Sequence, residues 1–312
     1  MKIALGILCL LALAVGLTFW RAARNSEAAL AEYPPTGEFV EVDGLPVHYL
    51  TLGTGPDLVL IHGASGNLRD FSFSLMDQLS DRYRVTAFDR PGLGYTPRTE
   101  PGMSIGAQAD ILAQAAAQLG IDRPLILGQS YGGAVTLAWA TRHETSGLVL
   151  LAAASNTWDT GLGTYYNLLT SAPGQAFMAP AITAWATDAR IESSMACIFA
   201  PGAVPEGYIE YFGVPLTLRT EVMRENALQR AGLLEEIAAQ VPLYGDIDVP
   251  VEILHGDADP IVPHQIHSEP LSRQLPDARL QILPGQGHML QHTAEPQVIE
   301  AIDAVAARAG LR

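Results

Sequence analysis

One serine stands where its hydroxyl would act as a nucleophile. Ser130 is the centre of the motif Gly-Gln-Ser-Tyr-Gly at 128–132, which directly follows the apolar run 125–127 and opens a helical pattern. Gly-x-Ser-x-Gly between a strand and a helix indicates a tight, strained turn that lifts the serine hydroxyl clear of the sheet. Gly128 and Gly132 would let strand and helix approach each other closely. An ordinary strand-to-helix turn is the alternative reading, and we favour the nucleophile.

The base that such a serine requires is predicted at His288. A serine hydroxyl is neutral at pH 7, so it needs a base within hydrogen-bond reach, and that base needs a partner that fixes its tautomer. His288 follows the turn Pro-Gly-Gln-Gly at 284–287, at the carboxyl end of an apolar run, where ligand-facing residues collect in open α/β sheets. His292, one helical turn further, is interpreted as a supporting or exposed residue. Five other histidines are given no catalytic part: His48, His143, His255, His264 and His267.

The elements that must position these residues alternate between strand and helix patterns. The clearest helix pattern starts at Ser104 as N-cap and stops at Gly120, and a further helix closes the chain from Glu295-Pro296. Repeated strand-then-helix units predict an α/β fold with a doubly wound, mostly parallel sheet. Eight strands are predicted, at 39–42, 47–52, 58–61, 85–88, 125–127, 148–151, 251–254 and 280–283.

The stretch 155–245 interrupts this alternation and is rich in aromatic residues and methionine. We predict an inserted, mostly helical cap there, within a hydrolase-like core made of residues 31–154 and 246–312. A connection of this length inside a compact domain usually carries function, since it forms a lid with apolar contacts of its own. An enlarged core is the alternative reading.

Four motifs, in this order along the chain, resemble those of the α/β-hydrolase superfamily. They are His-Gly-Ala-Ser-Gly at 62–66, Asp-Arg-Pro-Gly-Leu-Gly at 89–94, the serine motif at 128–132 and Gly-His at 287–288. The resemblance extends from about residue 39 to residue 311. It implies the α/β-hydrolase fold with a capped active site and a serine esterase activity.

The resemblance also implies where the acidic partner of the base lies. In this superfamily the acid comes from the loop after the seventh strand, and both Asp257 and Asp259 occupy that loop. The family pattern favours Asp259, because it lies three residues after Gly256 and just before a Pro-x-x-Pro stretch. Asp257 remains the alternative and would otherwise brace the turn.

Two backbone N–H groups are implied as the oxyanion hole, those of Tyr131 and Ala64. A tetrahedral intermediate carries a negative oxygen, which needs donors already aimed at it. Gly63, with Gly66, would let the loop after the third strand bend close to the reacting carbon. His62 is predicted to brace this loop. Asp89 and Arg90 are predicted to stabilise their own turn rather than to react.

Composition excludes several other classes of function. The formal net charge is −15, from 18 Lys and Arg against 33 Asp and Glu, so the chain offers no positive field for nucleic acid. Lys2 is the only lysine, which excludes Schiff-base chemistry in the body of the protein. Two cysteines, Cys9 and Cys197, make neither a disulfide framework nor a cysteine-based metal site. We predict no metal and no cofactor.

The first thirty residues, 1–30, form a separate N-terminal segment. Ile3 to Trp20 is uncharged and apolar and, as a helix, would span roughly 27 Å, close to the hydrocarbon thickness of a bilayer. Phe19 and Trp20 followed by Arg21 and Arg24 resemble a membrane interface. We favour an uncleaved single-pass anchor, with residues 3–20 in the membrane and no preference for either side. The alternative is a cleaved signal ending near Ala29 and Ala31, with export.

The predicted reaction is hydrolysis of a carboxylic ester through an acyl-enzyme, on a small to medium apolar substrate that suits the aromatic insert. Hydrolysis of a carbon–carbon bond, or use of peroxide as acyl acceptor, would keep the same three residues and is an open alternative. A non-catalytic binding protein on this fold is another. Epoxide hydrolases and haloalkane dehalogenases of similar fold use an aspartate where this chain has Ser130, so those activities are disfavoured.

Overall fold

A single eight-stranded sheet forms the centre of the protein. The structure is a computed structural model that describes residues 1–161 and 163–312. Its strands are β1 (Glu38–Val42), β2 (Leu45–Leu52), β3 (Asp57–Ile61), β4 (Arg84–Phe88), β5 (Leu125–Gln129), β6 (Gly147–Leu151), β7 (Val251–Gly256) and β8 (Ala278–Leu283). They lie in the order β1-β2-β4-β3-β5-β6-β7-β8, in which the pairs β1–β2 and β2–β4 are antiparallel and the other pairs are parallel. The predicted α/β class with its doubly wound, mostly parallel sheet is confirmed, and all eight predicted strands are present.

Helices surround this sheet on both faces and extend beyond it. In chain order they are α1 (Lys2–Glu32), α2 (Arg69–Ser72), α3 (Leu75–Leu79), α4 (Ile105–Gln118), α5 (Tyr131–Ala140), α6 (Gly163–Thr170), α7 (Ala179–Trp185), α8 (Asp188–Phe199), α9 (Tyr208–Phe212), α10 (Val214–Thr217), α11 (Thr220–Gln240), α12 (Ser268–Gln274), α13 (Leu290–Thr293) and α14 (Glu295–Arg308). The start of α4 is as predicted, since the Ser104 hydroxyl accepts the Ala107 N–H at 3.1 Å.

Two hydrophobic clusters cover the two faces of the sheet, which explains why its central strands contain continuous apolar runs. Successive side chains of a strand point to opposite faces, so in β3 Val59 and Ile61 join one cluster while Leu58 and Leu60 join the other. Helices α4, α5 and α12 pack on the first face, and α2, α3, α13 and α14 on the second. The strands are thereby held rigidly enough for the loops at their carboxyl ends to keep fixed positions.

The described residues between β6 and β7 form a helical layer, α6 to α11, outside the sheet. A π-helical turn at Gly174–Met178 joins α6 to α7. This layer has two apolar clusters of its own, one around Phe199 and Tyr208 and the other around Leu169 and Met223. Met289 from the core packs into the first of them, so the layer closes over the segment that carries His288.

Helix α1 is longer than the apolar run that predicted it. It continues without a break for 31 residues to Glu32. Its first half projects from the protein with apolar side chains exposed, and its second half packs on α7, α10 and α11. The helix is long and apolar enough to cross a membrane, a property that signal sequences share.

Truncating Leu127 in β5 should destabilise the protein strongly. The side chain is 0% exposed and lies next to the strand end that carries Ser130. We expect Leu127→Ala to lower the free energy of unfolding by about 2–5 kcal/mol, from lost burial and the cavity left behind. Leu311→Ala is the matched control, because Leu311 is 37% exposed, and it should cost less than about 0.5 kcal/mol. Urea unfolding of both variants measures this, and equal losses would contradict it.

Candidate active site

Ser130 occupies a strained backbone conformation at the junction of β5 and α5. Its φ of 54° and ψ of −119° lie outside the regions that residues with a side chain normally adopt. Three hydrogen bonds hold it there: its N–H donates to the Leu151 carbonyl at 2.9 Å, and its carbonyl accepts the N–H groups of Gly133 at 3.0 Å and Ala154 at 3.1 Å. The backbone therefore turns sharply and leaves the serine side chain partly exposed at the carboxyl edge of the sheet.

Glycine is required on both sides of this turn. A side chain at position 128 would collide with the Thr136 hydroxyl and the Gly132 carbonyl, and one at position 132 would collide with the backbone of Ile61. Gly63 is equally confined, since an added Cβ would collide with Gln129 and lie 3.2 Å from the Ser130 Cβ. The loop after β3 thus lies directly against the serine turn.

Asp259 and His288 form a buried pair at the same edge of the sheet. Asp259 Oδ2 lies 2.7 Å from His288 Nδ1, with 0% and 6% of the two side chains exposed. An ionised carboxylate only accepts hydrogen bonds, so the imidazole proton is on Nδ1 and Nε2 is left as a free acceptor. The pair therefore presents a basic nitrogen in a fixed orientation.

The carboxylate of Asp259 is held in its charged form. Its Oδ1 accepts the N–H groups of Ile261 at 2.8 Å and Val262 at 3.0 Å. Burial alone would raise the pKa of this carboxyl group, but hydrogen bonds from His255 and His288 outweigh burial and hold the pKa well below its usual range. Asp259 can accordingly stabilise a positive imidazolium at His288 without taking its proton.

Asp257 has a different position and does not contact His288. Its carboxylate accepts the Gly285 N–H at 2.6 Å and so ties the loop after β7 to the turn after β8. Of the two aspartates that the sequence left open, the structure brings Asp259 to the histidine and uses Asp257 as a brace.

His255 is a supporting residue that sequence reasoning did not find. It is fully buried, and its Nε2–H donates to the Val262 carbonyl at 2.7 Å while lying 3.2 Å from Asp259 Oδ2. Its Nδ1 faces the Ser268 hydroxyl. The ring therefore fixes both the loop that carries Asp259 and the start of α12, and its position four residues before that aspartate was the available signal.

The side chain of Gln129 links the serine turn to the histidine segment, since its Nε2 lies 3.4 Å from the His288 carbonyl. In the part of the chain that the structure describes, no hydrogen bond joins the Ser130 hydroxyl to the His288 ring. Such bonds are often long in unliganded enzymes and shorten when substrate binds. Ser130 and His288 are thus brought to one edge of the sheet, but their contact remains open in this conformation.

His62 braces the loop that carries Ala64. The ring is fully buried, with Nδ1 2.9 Å from the Gly63 carbonyl and Nε2 accepting the Arg90 N–H at 3.0 Å. Burial, and then the charge of Arg90, lower the pKa of His62 from 6.5 to about 4, so the ring is neutral at pH 7. Neither the Ala64 nor the Tyr131 N–H donates a hydrogen bond within the described residues, and both border the serine turn.

Arg90 reaches much further than its own turn. The guanidinium is fully buried and donates to the carbonyls of His62 at 2.9 Å and Gly63 at 3.0 Å. It also donates to the side chains of Gln108 and Gln229, and it lies 4.4 Å from the centre of the Tyr131 ring. One side chain therefore joins the loop after β3, helices α4 and α11, and the first residue after the serine.

Helix α11 contributes polar residues that the sequence analysis had assigned only to a lid. Asn226 accepts the Ser65 N–H at 2.7 Å and donates to the Ser65 hydroxyl at 2.9 Å. Gln229 binds Arg90, and buried Glu225 accepts the N–H groups of Gly102 and Met103. No local signal in the sequence marks this face as buried, because each contact joins α11 to a residue more than 100 positions away in the chain.

The remaining acidic and histidine residues of the predicted motifs have structural positions. Asp89 accepts from the N–H groups of Leu68 and Tyr95, at 2.7 Å each, and pairs with His48. His292 is neither exposed nor near Asp259; its side chain is buried and pairs with Asp70 at 2.8 Å.

The neutral state of His62 should make the protein less stable in mild acid. Its pKa is about 4 in the folded protein against 6.5 for the free side chain, so between these values the unfolded chain binds the extra proton. The neutral His62 ring therefore contributes to the free energy of unfolding above pH 6.5. This contribution, on the order of 3 kcal/mol, is lost as the pH falls towards 4. We expect the urea midpoint of the wild type to fall over this range, and His62→Asn to show a shallower fall. Equal pH slopes in the two proteins would show the interpretation to be wrong.

Comparison with known sequences gives relatives that match a part of this chain and relatives that match nearly all of it. A segment of 112 residues is 37% identical to the dihydrolipoyllysine-residue acetyltransferase component of an acetoin cleaving system from Cupriavidus necator, and it covers 36% of this chain but only 29% of that protein. Haloalkane dehalogenase 2 from Mycobacterium bovis is 26% identical over 291 residues, which cover 86% of this chain and 94% of the dehalogenase.

Solved structures share the fold at low identity. An α/β-hydrolase-fold protein from Burkholderia ambifaria has a TM-score of 0.72 at 22% identity, covering 85% of this chain and 96% of its own. An esterase from Exiguobacterium antarcticum has a TM-score of 0.66 at 21% identity, covering 86% and 99%. A membrane phospholipase A has a TM-score of 0.62 at 23% identity and covers 98% of this chain and 99% of its own, including the length of α1.

A family model described as the alpha/beta hydrolase fold matches residues 56–295, which is more than half of the chain. The match includes the serine turn, the loop with Asp259 and the segment with His288. The chain therefore belongs to the α/β-hydrolase family.

Proposed function

We propose that this protein is a serine hydrolase that cleaves carboxylic esters of small to medium apolar substrates through an acyl-enzyme. One observation carries the proposal. A serine with a φ of 54° stands at the end of β5, on the same edge of the sheet as a buried histidine whose Nδ1 is bound to a carboxylate at 2.7 Å. An oriented imidazole with Nε2 available, on the same edge of the sheet as a partly exposed serine hydroxyl, is the arrangement that turns a weak nucleophile into a strong one once substrate binding brings the two together.

In the proposed reaction His288 Nε2 removes the proton of Ser130 as its oxygen attacks the ester carbonyl. The tetrahedral intermediate collapses, the alcohol leaves with the proton that His288 returns, and the acyl group remains on Ser130. Water then attacks the acyl-enzyme with the same histidine as base, which releases the acid and restores the serine. Asp259 stabilises the imidazolium in both halves, and its low pKa keeps it charged throughout.

We assign the oxyanion hole to the N–H groups of Ala64 and Tyr131. Tyr131 is the first residue of α5, so its N–H points out of the helix amino terminus, where partial positive charge favours an anion. Ala64 follows Gly63, whose backbone lies against Ser130. Arg90 and Asn226 support this loop from behind, so the donors are held in place before any charge develops.

An apolar substrate is supported by the layer that closes over His288. Its cluster of Phe199, Tyr208 and Phe212 includes Met289, the residue next to the proposed base. Such a surface favours aliphatic or aromatic groups and offers few charged anchors. Dehalogenase chemistry is disfavoured despite the relative with that name, because haloalkane dehalogenases of this fold use an aspartate where this chain has Ser130.

We also infer that α1 is an uncleaved membrane anchor. The second half of the helix belongs to the fold: Ala22 and Ala29 are buried, and Asn25 Nδ2 donates to the Thr183 carbonyl at 2.9 Å. Cleavage near Ala29 and Ala31 would remove these contacts and expose the helices that they cover. The apolar half, with residues 3–20, is left free to enter a bilayer.

A fluorophosphonate probe should label the wild-type protein at Ser130. The activated oxygen displaces fluoride from phosphorus and forms a stable ester, so labelling reports the nucleophile without knowledge of the substrate. We expect labelling to disappear in Ser130→Ala and to persist in Ser194→Ala, a control serine that is exposed on α8. A wild type that remains unlabelled, with the control folded, would refute the hydrolase proposal.

The two aspartates should differ in their effect on turnover. Asp259→Asn leaves His288 without a charged partner and allows the wrong tautomer, so kcat on p-nitrophenyl esters should fall about 10⁴-fold. Asp257→Asn removes only a bond to the Gly285 N–H, and kcat should fall less than about tenfold. Loss of turnover in Asp257→Asn alone would reverse the assignment.

A further inference from the structure

Four large side chains on the helical layer are exposed in one region, which we call the cap patch. They are Tyr165 and Leu168 on α6, Phe177 on the π-helical turn and Trp185 at the end of α7, with exposed fractions of 46%, 55%, 57% and 47%. A group of exposed aromatic and aliphatic side chains on one surface marks an interaction site rather than ordinary solvent-facing surface.

The cap patch contacts α1 near the end of the uncharged apolar run of that helix. The rings of Phe177 and Phe19 are 6.2 Å apart, and the Trp185 indole N–H donates to the Thr18 hydroxyl at 3.2 Å. Two separate points of the patch therefore meet α1 within two residues of each other, and that level is where the uncharged run ends at Trp20.

Positive and aromatic side chains are paired at the same level. The Arg21 guanidinium lies 4.5 Å from the Trp185 ring, and that of Arg24 lies 5.5 Å from the Trp20 ring. Tryptophan and arginine together are typical of the boundary between hydrocarbon and headgroups. Both α1 and the cap therefore have residues of this type at the height where α1 would leave a bilayer.

An open apolar groove runs through the patch. It is lined by Leu168, Pro173, Gly174, Phe177 and Met178, with Ser171 at its edge. Behind it Arg224 donates to the Gln175 carbonyl at 2.7 Å, and the Arg230 guanidinium lies 4.1 Å from the Tyr166 ring. These contacts hold the groove in place from α11, and its exposed lining is apolar, as on the lipid-facing side of an interfacial helix.

We propose that the cap patch docks on the lipid bilayer that α1 enters, with Leu168 and Phe177 in the boundary between headgroups and acyl chains. We infer a bilayer as the binding partner because the patch lies next to α1. The apolar run of that helix is itself exposed over its whole length. Because the helix and the cap are joined at Asn25 and Thr183, insertion of one brings the other to the surface. The proposal depends on α1 being an anchor and is independent of the reaction at Ser130.

Depth-dependent quenching of a fluorophore tests this on the full-length protein in phosphatidylcholine vesicles. In a Cys9→Ser, Cys197→Ser background, Leu168→Cys and Phe177→Cys are each labelled with bimane, and part of the lipid carries a nitroxide near the top of its acyl chain. Leu8→Cys is the membrane control, and Leu311→Cys, which is exposed beyond the end of α14 in the core, is the solvent control. Far-UV circular dichroism checks that each variant is folded, so the test does not depend on the reactivity of Ser130.

We expect positions 168, 177 and 8 to lose most of their fluorescence and position 311 to keep it, at every protein-to-lipid ratio. Quenching at 8 alone would overturn the docking of the cap and leave the anchor standing. The absence of quenching at all four positions would overturn both. If bimane at 168 and 177 escapes quenching at high protein-to-lipid ratios and is quenched only after dilution of the protein in lipid, a second copy of the chain covers the patch. The lipid proposal would then be wrong.

Discussion

The backbone of Ser130 is the constraint on which the rest of the site depends. A left-handed conformation at a residue with a side chain costs about 1–3 kcal/mol and persists only where surrounding contacts determine it. Here those contacts come from β6 and from the segment that follows it, through the Leu151 carbonyl and the Ala154 N–H. They exist only because β5 and β6 pair in parallel and in register, with Gln129 opposite Leu151. The pairing of β5 with β6 therefore fixes the turn that exposes the Ser130 hydroxyl.

A buried polar network maintains the other side of the site. Arg90 has no solvent contact, and burial lowers its pKa to about 10, yet it stays charged at pH 7. A desolvated guanidinium is tolerated only when its donors are satisfied, and here carbonyls of the loop after β3 and amide oxygens of α4 and α11 supply the acceptors. The same bonds hold the loop with Ala64 close to the serine turn. Helix α11 is therefore part of the floor of the site as well as part of the layer above it.

The sequence was a good guide wherever the local pattern and the final position coincide. The eight strands, Ser104 at the start of α4 and the serine turn are all set by short segments whose periodicity or glycine content has one physical reading. The pairing of Asp259 rather than Asp257 with His288 required family knowledge, because two aspartates two residues apart differ only in the direction that the loop gives them. The roles of Gln108, Asn226 and Gln229 were not predictable, since each contact joins residues far apart in the chain, whereas His255 was marked only by its position four residues before Asp259. The continuation of α1 to Glu32 was missed for a similar reason: its second half mixes charged and polar residues with alanine, and its stability comes from packing on α7.

The attachment of α1 bears on how the site would open. The helix rests on α7, α10 and α11, whereas the core forms hydrogen bonds with its last turn and the linker, from Tyr95 to the carbonyls of Leu30 and Tyr33 and from Arg69 to the Pro34 carbonyl. If α1 is the membrane anchor that we propose, the layer is the part of the protein held next to the lipid. Because α11 belongs to that layer and also contacts the loop after β3 and Arg90, any separation of layer and sheet would first have to break the bonds of Asn226 and Gln229.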